Sequence, residues 1–169
     1  MKFIGSIKLL VLGFLLGLAG LASAGTGTTF ANDQLKLYFN STAISTIADQ
    51  AATGNLANLQ IALHSADPGA GGSQTTNECA YTSYARAPVA RSTGGFTVTG
   101  NAVSPVATIS FPAATGGACT ATHFSVGTAA SGAGKILFSG TVTPNISISN
   151  GVTPQLTTST TITITQIGR

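Results

Sequence analysis

Tryptophan is absent from this 169-residue chain, and charge is scarce: seven Lys or Arg, four Asp or Glu, and two His. Each shortage removes a class of chemistry. Glycoside hydrolysis needs two carboxylates facing each other across a cleft. Only Asp33, Asp49, Asp67 and Glu78 are on offer, and none is flanked by the aromatic residues that sugar sites favour. A hydrolytic triad usually shows its nucleophile on a special turn. No GxSxG stretch occurs, and Asp67 stands before Pro68, where its carboxylate is placed to bond nearby backbone N–H groups. His64, Asp67, Glu78 and His123 match neither an HExxH nor an EF-hand spacing, and neither cysteine has a second Cys or a His at ligand distance. The glycine clusters GAGG at 69–72 and SGAG at 131–134 lack the Lys and Ser/Thr of a phosphate-cradling loop. The residues therefore point to a non-enzymatic protein with no cofactor and no bound metal.

Basic residues are also too dispersed to neutralise phosphates, which excludes a nucleic-acid partner. The formal charge of +3 is partly borrowed from the first 24 residues, which hold Lys2 and Lys8. Beyond them, five basic residues face four acidic ones, a net charge of +1. That first stretch has a basic start, the apolar run LLVLGFLLGLAGLA and a small-residue end, Ala22–Ala24. These are the three parts of a secretory leader, and the run is short for a membrane span of roughly 20 apolar residues. Residues 1–24 are read as a leader, 25–29 as a flexible spacer and 30–169 as one domain. A membrane contact is expected only through an uncleaved leader.

What the chain has in abundance is Thr, Ser, Gly and Ala, punctuated by apolar residues. Leu59–His64, Phe96–Gly100, Ala102–Phe111, Thr120–Gly127, Lys135–Val142, Asn145–Ser149 and Thr160–Ile167 read as short strands. Gly-, Asn- and Pro-containing turns separate them. The expected fold is mainly β, an antiparallel sandwich or jelly-roll-like domain. A helical segment precedes it in Phe30–Asn55, with Ile44, Ile47, Ala48 and Ala51 at helical spacing, Ser41 or Thr42 placed as N-cap and Gly54 as stop. LKLYF, Leu35–Phe39, also alternates and reads equally as extended chain. Between strands lies a 13-residue loop, Ala66–Glu78. Loops that long in compact domains tend to be functional or disordered, and binding or subunit contact is the sharper reading.

Cys79 and Cys119 stand 40 positions apart. Behind an export leader they pair plausibly as a disulfide, worth about 3–4 kcal/mol in the chain-entropy account; two buried free thiols are the alternative.

Several stretches, taken in order, resemble a family of small phage virion proteins labelled tail-fibre proteins, with head decoration as an alternative role. They are LQIALHSADPG, then Asn77–Glu78, then YTSYARAPV at Tyr81–Val89, FPAATGG at Phe111–Gly117, TATHF at Thr120–Phe124 and ILFSG at Ile136–Gly140. The matched positions His64, Asp67, Pro68, Asn77, Glu78, Tyr84 and Arg86 carry no catalytic role in that family. The resemblance implies a structural or assembly loop, in which Glu78 and Arg86 pair within or between subunits. It further implies a homo-oligomer, trimers being usual, built together with other virion proteins. Cys79, Cys119 and the leader depart from the family pattern. The two cysteines arriving together fit a bridge, and the leader favours the alternative of an exported cell-surface or periplasmic binding protein using the same fold.

Overall fold

The computed structural model describes residues 28–44 and 56–164. It opens with one helix, α1 (Thr28–Asn40), whose Ala31, Leu35 and Phe39 recur every four residues and are fully buried. Phe39 packs edge-on against Phe96 (4.7 Å between ring centres) and stacks on Phe138 (5.4 Å). LKLYF is therefore helical. The helix stops at Asn40 because Ser41 turns into the left-handed region (φ 55°), so Ser41 and Thr42 lie past its C-terminal end and cap no N-terminus. Ile44 is buried but not helical. Ile47, Ala48, Ala51 and Gly54 lie outside the described residues.

Among the described residues nine strands follow. β1 (Asn58–His64), β2 (Ala87–Ala90), β6 (Cys119–Gly127) and β7 (Ile136–Ile148) form an antiparallel sheet in the order β2-β1-β6-β7. β3 (Phe96–Thr99), β4 (Ala102–Pro105) and β9 (Ile162–Thr163) make a second sheet; β5 (Ile109–Ser110) and β8 (Gln155–Leu156) make a third. The fold is mainly β and antiparallel, with sheets and α1 sharing one core. Register places Ile61 opposite Val126 and Leu63 opposite Phe124, so these four side chains share the inward face. Phe96, Val103 and Leu156 approach the same core from the smaller sheets, and Phe111 from just past β5.

Three strand expectations change. Ala102–Phe111 is divided, because Pro105 has no N–H to continue the ladder and the chain resumes pairing only at Ile109. The Thr-Pro-Asn turn expected after Val142 is instead a bulge inside one long strand. His123 pairs with Thr141 and Ala121 with Ile146, leaving Val142–Asn145 opposite Thr122 alone. The last strand is only Ile162–Thr163 within the described residues, although Ile162 and Ile164 are half-buried while Thr161 and Thr163 are exposed, as alternation requires. β2 and β8 carry no strand signature: Ala-Pro-Val-Ala and Gln-Leu are poor β-formers or too short.

Candidate functional site

Along β1 the apolar side chains point inward, yet its other face is also buried: Ala62 and His64 are inaccessible and Gln60 half-covered. The cover is the segment Ser65–Glu78. It leaves β1, folds back and rejoins the sheet, where Glu78 bridges His64 and the Cys79 N–H donates to the Leu63 carbonyl (2.8 Å). Its neck is tied by Ser65 N–H to the Asn77 carbonyl (2.8 Å) and by Asn77 Nδ2 to the Asp67 carbonyl (2.9 Å). Asp67 Oδ1 accepts the Gly69 N–H (2.8 Å), a local turn bond. Asn77 (φ 55°) and Gly69 (φ 70°) take the left-handed conformations these reversals need. Pro68 is buried, and a Cβ at Gly72 would collide with its carbonyl.

Glu78, Tyr84 and Arg86 converge just before β2 begins. Arg86 donates from Nε to Glu78 Oε1 (2.7 Å) and from Nη2 to Oε2 (2.8 Å), a two-pronged ion pair. Its remaining donors reach the carbonyls of Ala129 (2.7 Å) and Gly132 (2.8 Å) in the β6–β7 connection. The Arg86 side chain is 2% exposed and that of Glu78 15%. The carboxylate's hydrogen bonds push the Arg86 pKa further up, and burial opposes this. The Tyr84 hydroxyl donates to Glu78 Oε1 (3.0 Å) and accepts the Leu63 N–H (3.0 Å), which β2 is too short to satisfy. Burial raises its pKa, and Glu78 adds to the rise. Cys79, next in sequence, is bonded to Cys119 at the start of β6, with Cα atoms 5.8 Å apart.

His64 lies under the same cover. Its Nδ1 is 2.8 Å from the Thr76 carbonyl, which can only accept, so Nδ1 carries the proton and Nε2 accepts from Ser125 Oγ (2.8 Å). Desolvation holds its pKa below 6.5 against the opposing pull of the Thr76 carbonyl and Glu78. The Ser125–His64 contact has the distance of a nucleophile–base pair. Both residues are nevertheless wholly buried, neither lines any of the three main cavities, and both imidazole nitrogens are engaged. In this arrangement the pair meets no substrate and offers no lone pair to a metal. His123 faces His64 across the β1–β6 register and bonds its neighbour, with Nδ1 2.9 Å from Thr122 Oγ1.

Two anchors escape sequence reasoning. Gln74 is fully buried: its Oε1 accepts the Ala129 N–H (2.9 Å), its Nε2 reaches the Gln60 carbonyl (3.3 Å), and the segment's N–H at 74 bonds the Gly134 carbonyl (2.9 Å). Gly127 and Gly134 make room for it, since a Cβ at either would strike the amide. Arg91 donates to the carbonyls of Leu37 and Tyr38 (2.6 Å each), placing a cation at the C-terminal end of α1. A lone Gln in a Ser/Thr/Gly-rich loop and a lone Arg after a short strand carry no motif.

The geometry is that of a latch. Seven matched positions, His64, Asp67, Pro68, Asn77, Glu78, Tyr84 and Arg86, build or receive one covering segment. Residues 25–165 match the family described as Podophage GP4 fiber I protein gp80. The chain belongs to that family. The matched span contains every described element of this phage-fibre fold and both cysteines. No curated protein matches the chain. A groove of about 590 Å³ among the described residues lies away from the latch, between the β7 bulge and residues 155–161, and its walls hold Thr, Ser, Gln155 and apolar residues without one charge. Among the described residues no helix is long and apolar enough to cross a membrane, and no group of three or more His, Cys, Asp or Glu is placed to hold a metal.

Proposed function

We propose that the chain is a non-enzymatic structural subunit of a phage fibre, acting through contacts with copies of itself and with other virion proteins. The family match over 25–165 carries this reading, and the word fibre in its description favours a tail-fibre over a head-decoration role. The latch supports it: the polar residues that would have to serve catalysis or metal binding are spent on holding one segment to the sheet. In this reading the latch is the structural or assembly element of the fibre subunit. Mass spectrometry of purified virions encoded with this chain is expected to recover its peptides, and gold-labelled antibody is expected to mark the fibres. Virions free of the chain, or label on the head alone, overturn the assignment.

The second reading is an exported cell-surface or periplasmic binding protein on the same fold. The Cys79–Cys119 bond favours it, because disulfides persist in oxidising compartments, and the family match begins at Gly25, directly after the leader-like residues 1–24. N-terminal sequencing separates the two. A mature start at Gly25 in the extracytoplasmic fraction supports export, and a start at Met1 in virions opposes it.

A further inference from the structure

β7 ends at Ile148, and the chain reverses through Ser149–Val152 before entering β8. The Val152 N–H donates to the Ser149 carbonyl (2.9 Å), and Gly151 takes φ 86°. That is the pattern of a type II turn, in which glycine supplies the positive φ. Asn150 and Gly151 also form the only Asn-Gly step in the sequence; every other asparagine is followed by a residue with a side chain. The difference is chemical. An asparagine side-chain amide can be attacked by the next backbone nitrogen, and glycine alone has no Cβ to hinder the approach. Both residues are exposed, so water and hydroxide reach them. The attacking nitrogen is nevertheless held. The Gly151 N–H donates to the carbonyl of buried Ala114 (2.7 Å), and the Ala114 N–H returns a bond to the Val152 carbonyl (2.9 Å). Phe111 N–H bonds the Pro154 carbonyl (3.0 Å), and Ile109 and Ser110 pair with Leu156 and Gln155. One run of bonds thus docks residues 151–156 on residues 109–114.

We propose that Asn150–Gly151 is a self-modification site, locked while the Gly151 N–H is docked on Ala114 and converted to aspartate and isoaspartate when the turn opens. The reaction needs water and no other reactant. The Gly151 nitrogen gives its proton to solvent base and bonds to the Asn150 Cγ; the side-chain nitrogen leaves as ammonia, closing a cyclic imide. Water then adds to one of the imide carbonyls and breaks its bond to nitrogen. Attack at Cγ yields aspartate, and attack at the main-chain carbon yields isoaspartate. The lock acts on the first step. While its proton is held by the Ala114 carbonyl, the nitrogen can neither lose it nor turn toward Cγ. The modification rate is therefore set by the fraction of time the turn stands open, the same quantity that governs amide exchange at Gly151 when closing is fast. The product does not fit the lock. Isoaspartate adds a methylene to a backbone pinned both at Ser149–Val152 and at Ala114, and the buried Ala114 carbonyl loses its donor. The damage stops at the end of β7, where Ile148 pairs with Cys119, itself bonded to Cys79.

The test follows the full chain at mildly alkaline pH, native and urea-denatured, by peptide mass spectrometry with fragmentation that separates aspartate from isoaspartate. Amide exchange at Gly151 is measured under the same conditions. Expected is conversion at Asn150 in the denatured chain, and native conversion slower by the same factor that protects the Gly151 N–H. Urea below the unfolding transition should raise both native rates together. Asn150→Gln, whose longer side chain closes the ring far more slowly, should show no conversion over the same period. Equal rates in the native and denatured chains overturn the proposal, because the bond to Ala114 then locks nothing. Faster conversion in the native chain, or Gly151 exchange that rises in urea without added conversion, overturns it as well. Exchange on the isolated isoaspartate product gives an independent reading: protection at Ala114 should be lost and that of Cys119–Gly127 retained. An Ala114 still protected in that product overturns the pinned turn on which the proposal stands.

Discussion

At β1 and the adjoining end of β6 the four-stranded sheet is buried on both faces, but by opposite chemistry. Inward, Leu59, Ile61, Leu63, Phe124 and Val126 meet α1 and the smaller sheets in non-directional apolar contact. Outward, Gln60, His64 and Ser125 lie beneath Ser65–Glu78, held there by Gln74, the Glu78–Arg86 pair and a ring of backbone bonds. An apolar face tolerates a neighbour shifted by a fraction of an ångström. A polar cover does not, because each buried donor or acceptor left without a partner carries its full desolvation cost. The inward face therefore makes the domain stable, and the outward face makes one loop conformation unique.

The largest test of this contrast is Arg86→Ala. It leaves the Glu78 carboxylate largely buried without its counter-charge and strips donors from the Ala129 and Gly132 carbonyls. The expected loss is about 3–5 kcal/mol, comparable with the ~2–5 kcal/mol of Leu63→Ala on the apolar face. Chemical denaturation of both variants measures the two costs. Sharper still is the double replacement Glu78→Leu/Arg86→Met, which should lose less than Arg86→Ala alone, because it leaves no buried charge unpaired, although the Ala129 and Gly132 carbonyls lose their donors in both variants. If Arg86→Ala denatures like the wild type, the outward face owes nothing to its ion pair.

The two faces were not equally readable. Alternation of Leu59, Ile61 and Leu63 signals the inward face directly, since a strand's period of two needs no knowledge of the partner. The partners of Gln74 are glycines 53 and 60 residues away, at Gly127 and Gly134, and nothing local in SQTTN marks them. Only the family resemblance joins Glu78 to Arg86; their spacing of eight residues specifies no contact until β2 pairs with β1. β2 itself is hidden by Pro88, which suits an edge strand but breaks the usual strand pattern. The β7 bulge reads as a turn because Thr-Pro-Asn has turn chemistry, and only the cross-strand register keeps it within one strand.

A middle-sized effect follows from His64. Burial keeps the folded imidazole neutral, whereas the unfolded chain takes up a proton as pH falls through 6.5. Below that point the unfolded state binds more protons, so stability declines as pH drops and the decline ends once the lower, native pKa is passed. The slope from this one residue is at most about 1.4 kcal/mol per pH unit. Denaturation midpoints measured from pH 7 to pH 5 should show it in the wild type and show a flatter course in His64→Gln. Equal slopes in the two proteins would mean that His64 charges freely and that the cover is open to water.

The smallest effect tests where the latch ends. Asp67 is exposed, and its carboxylate serves a single bond to the Gly69 N–H. Asn77 holds the same turn through the Asp67 backbone carbonyl, which Asp67→Ala leaves in place. The variant should therefore lose only about 0.5–1 kcal/mol, with faster amide exchange confined to Gly69 and its neighbours. The protection of Gln74, Glu78 and Cys79 should not change. Exchange spreading from Gly69 to Cys79 would make the tip and the ion-paired base one cooperative unit, and the outward face would then be governed by its most exposed turn and not by its buried charges.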